Sequence, residues 1–520
     1  MTPPHTPPTH RRGLRHVRAV PHQNDRLGPW SGVGGQEGVD PPCPEYARLR
    51  GPGPRERLPT MPTRTSVTTV LILGAGGDLT HRLLLPGLAS LLAAEPGRDV
   101  RVVGADRAEL TQAQWQDRVR DAFATVGPPA TVTSAATTDT AYTQADVLDA
   151  DPLGELVASC GDGPLVIFFA LPPQVSMQVC ALLRHIDLPE VTRLALEKPF
   201  GTDRASAAAL NTVLHHVVDE DQVFRIDHFL GRATVLNLIG LRFANRLLQP
   251  VWNAENIERV EIVYDEDLTL EGRAGYYDRA GALRDMIQSH LLQVLALFAL
   301  ESIASLDAQE LRDQKTQVLR ATRLWGGSPE RASRRATYTA GTLGPREVPD
   351  YVHEQGVDPA RGTETLAQVT VAVENNRWSG VPFLLRSGKA LGTPRKEVVV
   401  HFRDVAHLPG GFTGASDTDR LVLDLKTGDV ALSLTMNAEG DPFDLDQKAL
   451  TATLAPADLL PYGEILGRIL DGDQLLTVRG DAAEECWRIV DPVLRAWEEG
   501  TVPLETYAAG SAGPDGWLPA

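Results

Sequence analysis

Eight positions of this chain, from Arg225 to Arg232, carry a carboxylate (Asp227), an imidazole (His228) and two guanidinium groups (Arg225 and Arg232). That density suits proton transfer and anion binding better than packing. Further on, Gly272, Gly275, Tyr276, Tyr277 and Asp278 precede Arg284, Asp285, Gln288 and His290, which enter an apolar helical pattern. An imidazole titrates near neutrality without large tuning, so His290 is a candidate general base. Taken alone it reads equally as a core histidine. Lysine is rare in this chain, occurring at 198, 315, 389, 396, 426 and 448 only. Lys198 and Lys389 stand in Gly- or Pro-flanked turns, where a compact ammonium has a use that the many arginines do not serve; a surface lysine is the alternative for each.

A second group of residues suits a phosphate. Val67 to Leu73 reads as a short buried strand that runs into Gly74, Gly76, Gly77 and Asp78 and then into a helical pattern from Leu79 to about Ala94. Glycines at such a turn let a pyrophosphate approach the backbone at a helix N-terminus. The spacing Gly74-x-Gly76-x-x-Leu79 departs from the usual dinucleotide fingerprint at its third small residue, and a plain tight turn is the other reading. At the end of the next strand, Arg107 suits a ribose 2′-phosphate and Asp106 a free ribose diol.

The elements that must position these groups fall into two patterns. Up to about residue 200, apolar strands (100–104, 164–170, 194–196) alternate with helices, which predicts a parallel, doubly wound sheet. Beyond about 245, longer alternating strands at 260–264, 368–373, 397–402, 421–425 and 430–435 predict a mainly antiparallel sheet with helices on one face, interrupted by a long helix signal from Gly281 to Glu301. The expected organisation is a tail over 1–65, a Rossmann-like dinucleotide-binding domain over 66–202 and a substrate-binding, catalytic α+β domain over 203–510. Residues 1–60 are Pro-, Gly- and Arg-rich without periodicity, so disorder is expected there. No apolar central stretch of a secretory signal follows the arginines, and Met61, just before the first strand, is an alternative start.

Composition excludes several classes. The net charge of −18 over 520 residues argues against a nucleic-acid partner, so an anionic ligand needs local positive charge. No apolar stretch reaches the ~20 residues of a membrane span. Cys43, Cys160, Cys180 and Cys486 lie far apart, without metal-ligand or disulfide-framework spacing, which predicts a reduced, cytoplasmic setting and no metal site.

Taken together, these blocks resemble the glucose-6-phosphate dehydrogenase family from about Val70 to Glu499. The resemblance rests on the turn and helix from Gly74 to Pro86, residues 170–173, 197–201, 225–232, 241–245, 251–253, 272–278 and 284–290, and on 378–382 with 385–389. It implies oxidation of glucose 6-phosphate at C1 with NADP as the cofactor. His290 would be the base and Asp227 its orienting partner. His228 and Arg232 would hold the substrate phosphate, and Glu266, Asp285 and Lys389 the sugar. Lys198 would stand between substrate and cofactor. Gly74, Gly76, Gly77, Asp78, Leu79, Arg107, Asp146 and Val147 would line the cofactor side. A homodimer or homotetramer built on the β-sheet domain is also implied.

This chain departs from the family pattern at several of these places. His81 and Leu83 stand where lysines are usual, Phe229 where a tyrosine is, Arg232 where a lysine is and Ser289 where an asparagine is. Pro394 replaces a lysine for which Arg395 or Lys396 can stand in. Asp106 beside Arg107 favours NAD, so use of NAD, action on another sugar or sugar phosphate, and a weakly catalytic regulatory homologue are the alternatives.

Overall fold

The computed structural model describes residues 67–272, 274–414, 418–455 and 457–517; the expectations for the tail, Cys43 and Met61 lie outside them. The strands Thr68–Leu73 and Leu165–Phe169 are buried almost throughout, as central strands of a parallel sheet must be when helices cover both faces. They pair with each other, and the sheet order runs Thr477–Val478, Val223–Ile226, Thr192–Glu197, Leu165–Phe169, Thr68–Leu73, Val100–Asp106, Ala141–Gln144. All neighbours are parallel except the Thr477–Val478 edge. Two of these strands come from beyond residue 202, so the sheet that carries the glycine turn also carries Asp227 at the end of Val223–Ile226.

Connections proceed outward in one direction from Thr68–Leu73 and in the other from Leu165–Phe169. The crevice outside the carboxyl ends of these two strands is therefore the topological switch point at which open α/β sheets bind ligands. Gly74 stands there with φ +88°, and a Cβ on it would lie 2.3 Å from the Ala170 carbonyl oxygen.

The second sheet has eleven strands. Its order is 413–414, 444–453, 429–437, 420–424, 396–402, 257–265, 382–388, 366–373, 333–339, 504–508, with 322–324 also on 366–373. Most pairs are antiparallel, but 257–265 with 382–388, 333–339 with 504–508 and 413–414 with 444–453 are parallel. The expected helix from Gly281 to Glu301 runs without interruption from Ala282 to Ala299, but changes from π-helical to α-helical turns along its length. The helix Ala274–Ala282 before it is kinked at Gly281, which has φ 66°. The chain then makes wider π-helical turns over Leu283–Leu291 and an α-helix over Leu292–Ala299 whose every residue is buried. Glu364 sets the kink, since its carboxylate accepts from the Leu283 amide at 3.0 Å and would lie 2.2 Å from a Cβ at Gly281.

The helix Pro461–Asp471 returns to the first sheet and crosses Leu85–Ala94 closely. A Cβ on Gly87 would come 2.5 Å from Tyr462, and one on Gly463 would come 2.3 Å from Ser90 Oγ. That close crossing fixes Tyr462 beside the strand ends.

Candidate active site

Asp227 follows the last residue of its strand and caps a short turn, with Oδ1 accepting from the Phe229 amide at 3.0 Å. The same oxygen lies 2.5 Å from Nδ1 of His290, and both side chains are 1% exposed. His290 comes from the last turn of Leu283–Leu291, a π-helical stretch of the kind found at functional sites. Its ring stacks on Phe229 at 4.2 Å between centroids and meets the His228 ring edge-on at 4.6 Å.

Burial disfavours charge on all three groups. It would raise the Asp227 carboxyl, but the contact with His290 and the hydrogen bond from the Phe229 amide hold it well below the usual carboxylate range. Burial lowers His290 below the ordinary imidazole value despite the upward pull of Asp227. Burial and the neighbouring His290 push His228 down to about 3. Each of the three offers a side-chain N or O atom within 4.8 Å of those of the other two. With Nδ1 directed at a carboxylate, His290 keeps Nε2 as its free nitrogen, a neutral base poised to take a proton.

Two ion pairs flank this dyad. Lys198, at the cis Lys198-Pro199 junction, donates to the Asp285 carbonyl and to Oδ1, each at 2.7 Å. Burial opposes the ammonium, yet Asp285 raises it above the ordinary lysine value, while Lys198 brings the buried Asp285 down to about 2. Lys389 donates to Glu266 Oε2 at 2.7 Å, lies over the Tyr277 ring and adds to the pull on Asp285. Arg232 donates to Tyr264 Oη at 3.2 Å and stacks over Phe229, and its buried Nε has no partner among the described residues. Hence His290, Asp227, His228, Arg232, Lys198 and Asp285 converge, and the Lys389–Glu266 pair adjoins them.

The glycine turn fits a dinucleotide. A side chain at Gly74 is excluded by the Ala170 backbone, and Leu79 opens the following helical turns while packing on the core. Asp106, however, is turned onto the loop: its Oδ2 accepts from the Gly76 amide at 2.9 Å and its Oδ1 from the Ala108 amide at 3.1 Å. Arg107 is exposed beside it. Asp146 caps the Leu148 amide at 3.1 Å, and the Val147 side chain goes into the core, so this loop offers a cofactor only backbone and a carboxylate.

Sequence reasoning missed four residues. Arg118 donates to the Gly76 carbonyl at 2.6 Å and, with Gly77, Asp78 and His81, lines a cleft of about 590 Å³. Tyr462 donates to Glu197 at 2.9 Å and lies parallel to His228, and burial raises Glu197 to about 7. Tyr264 receives Arg232. Glu197 adjoins Lys198 in sequence and Tyr264 alternates inward on its strand, whereas nothing local marked Arg118 or Tyr462.

Residues 71–237 match the family described as glucose-6-phosphate dehydrogenase, NAD binding domain, and residues 239–517 the one described as its C-terminal domain. A glucose-6-phosphate 1-dehydrogenase of Gluconobacter oxydans is 39% identical over 464 residues, covering 86% of this chain and 94% of that protein. One from Mycolicibacterium smegmatis is 35% identical over 468 residues, covering 85% and 94%. A solved glucose-6-phosphate dehydrogenase in complex with glucose 6-phosphate superposes with a TM-score of 0.79 at 28% identity, covering 88% of this chain and 97% of that one. The enzyme from Mycobacterium avium does so with 0.75 at 32% identity, covering 87% and 99%. With both halves matched along almost their whole length, and with a Rossmann-like sheet and a large mixed sheet meeting at the dyad, the chain belongs to the glucose-6-phosphate dehydrogenase family.

Proposed function

We propose that this chain oxidises glucose 6-phosphate at C1 to the 6-phospho-lactone and that it prefers NADP to NAD. The observation that carries the reaction is the buried 2.5 Å contact between His290 Nδ1 and Asp227 Oδ1 at the carboxyl end of the parallel sheet. It leaves Nε2 of His290 to take the C1 hydroxyl proton, while Asp227 holds the tautomer and stabilises the imidazolium. A nicotinamide cofactor held at the glycine turn would supply the acceptor for the hydride of C1.

Arg232, whose Nε has no partner among the described residues, and His228 hold the substrate phosphate by charge-assisted donors. Asp285, Glu266 and Lys389 orient the sugar, and Lys198 stands at the junction with the cofactor. These four are already paired as Lys198–Asp285 and Lys389–Glu266, so each of their charges is compensated before substrate arrives.

On the cofactor side, Gly74, Gly76, Gly77, Asp78 and Leu79 would hold the pyrophosphate. Arg107 supports NADP, and the two amides that occupy Asp106 weaken its claim on a ribose diol. Exposed Met436 and Leu450 on neighbouring strands of the second sheet, with Phe443 in the turn between those strands, support a homodimer or homotetramer built on that sheet, which light scattering would test. The free buried thiols of Cys160, Cys180 and Cys486 support a cytoplasmic setting.

The test is absorbance at the reduced-nicotinamide band with glucose 6-phosphate or free glucose, each with NADP or NAD. Turnover of the phosphorylated sugar with NADP is expected. Turnover with NAD alone reverses the cofactor preference, turnover of free glucose alone moves the phosphate assignment, and none at all overturns the reading.

A further inference from the structure

Asp227 has a second face that proton transfer leaves unexplained. Its Oδ1 serves His290 and the Phe229 amide, but its Oδ2 is buried and accepts from no group among the described residues. Such an oxygen is costly unless the surroundings answer its charge. Three buried side chains, Gln293, Cys486 and Lys315, gather behind the strand end that carries Asp227. Gln293, one turn beyond His290 and 1% exposed, donates to Cys486 Sγ at 3.6 Å, while its own Oε1 lacks a partner among the described residues. Lys315, on the helix Ala308–Ala321 and 2% exposed, donates to the Thr477 carbonyl at 3.4 Å. Thr477 pairs across the sheet edge with Ile226, the residue before Asp227. The ammonium therefore sits behind the strand end that carries the dyad, with donors left over.

The charges around it are few. Arg312, on the same helix, is engaged by Gln474 and Glu220. Cys486, on the helix Gly480–Glu498, is a thiol that burial raises to about 12. Asp227 is the carboxylate whose field pulls Lys315 upward, against a burial that brings it to about 8. Lys315 is thus still an ammonium at neutral pH. Facing His290 itself are Asp227, Lys198, Asp285 and His228.

We propose that Lys315 is a positioning residue for the dyad: its ammonium, joined to Asp227 Oδ2 through Gln293 and buried water, is the counter-charge that keeps Asp227 ionised while His290 stays neutral and free to accept a proton. The three groups offer a bridging water the two to four polar partners it needs. In the resting site Lys315 answers Asp227 as Lys198 answers Asp285, so a proton arriving on His290 adds net positive charge. Removing the ammonium makes that proton easier to bind, and the base is then lost at a higher pH.

The inference rests on the dyad reading above, so wild-type turnover of glucose 6-phosphate is measured first; its absence would overturn that reading and this one with it. The pH dependence of kcat/KM is then compared for wild type, Lys315→Met and Lys315→Arg. The acid limb is expected to move to higher pH by about one unit in Lys315→Met and to stay in place in Lys315→Arg. At neutral pH kcat should fall, with KM for glucose 6-phosphate nearly unchanged. A folded Lys315→Met enzyme with an unmoved acid limb overturns the proposal, because a purely structural lysine would lower the melting temperature alone. If circular dichroism shows Lys315→Met unfolded, Gln293→Met decides: the limb shifts in the same direction if the link exists, and an unmoved limb sinks it.

Discussion

Nδ1 of His290 and Oδ1 of Asp227 are 2.5 Å apart although 63 positions separate the two residues in the chain. The carboxylate is delivered by a strand of the parallel sheet and the imidazole by a π-helical turn that leads into a fully buried helix. Burial makes the bond strong and makes the loss of either partner expensive. It also means that whatever fixes the start of the His290 helix fixes the chemistry.

His290→Asn keeps a hydrogen-bonding side chain of similar bulk but no group that titrates. We expect kcat to fall by at least about 10²-fold, the lower end of general-base contributions, with KM for glucose 6-phosphate changed far less. Asp227→Asn should also lower kcat, because an amide can present either a donor or an acceptor to Nδ1 and no longer enforces one tautomer. Steady-state kinetics on folded variants decide this, and near-normal turnover in His290→Asn would remove it from the role of base.

Cofactor choice turns on Arg107 once Asp106 is committed to the Gly76 and Ala108 amides. Hydrogen bonds to charged groups contribute about 1.5–3 kcal/mol, so Arg107→Ala should raise KM for NADP by roughly 10- to 100-fold and leave KM for NAD near its original value. Parallel titrations with the two cofactors check it. Equal losses for both would mean that Arg107 touches a part common to them rather than the 2′-phosphate.

Gly281 is the point at which sequence and site are coupled through the backbone. A side chain there meets φ 66° and the Glu364 carboxylate at 2.2 Å, and that carboxylate caps the Leu283 amide. Gly281→Ala should therefore destabilise the protein by about 1–3 kcal/mol and lower kcat through a displaced His290. A melting curve with wild-type midpoint and unchanged kcat would refute this coupling.

Much of the site was legible because its residues are local in sequence. The stretch from Asp227 to Arg232 forms one turn, and Asp285 and His290 share one helical segment, so their proximity follows from spacing. The glycine turn was legible because a buried apolar strand must end before a phosphate loop can begin. What stayed hidden depends on contacts between distant segments. Tyr462 reaches Glu197 only because Gly87 and Gly463 let two helices cross closely. The strand Val223–Ile226 is too short to show a period, and Thr477–Val478 is shorter still. The helix signal from Gly281 to Glu301 gives no sign of its π-helical turns over Leu283–Leu291, nor of Glu364, which lies on another segment and caps its start. Asp106 stands in the sequence as the alternative to Arg107 at the ribose, and its bonds to two backbone amides have no sequence signature.

His228 gives the protein a stability that depends on pH in a definite direction. In the unfolded chain it binds a proton near 6.5, whereas burial keeps it neutral in the folded protein down to about 3. Between those values the unfolded state holds more protons, so acidification favours unfolding, by about 1.4 kcal/mol per pH unit for one such group. The lowered imidazole of His290 acts with the same sign. The depressed carboxyl of Asp227 adds stability above its unfolded value of 3.8 and loses it only below that, so it does not contribute in this window. The melting temperature should thus fall steadily from pH 7 to pH 5 in the wild type and less steeply in His228→Gln, whose side chain carries no proton to gain. Equal slopes for the two proteins would assign the acid sensitivity to His290 or to other buried groups and would contradict a His228 held neutral by burial.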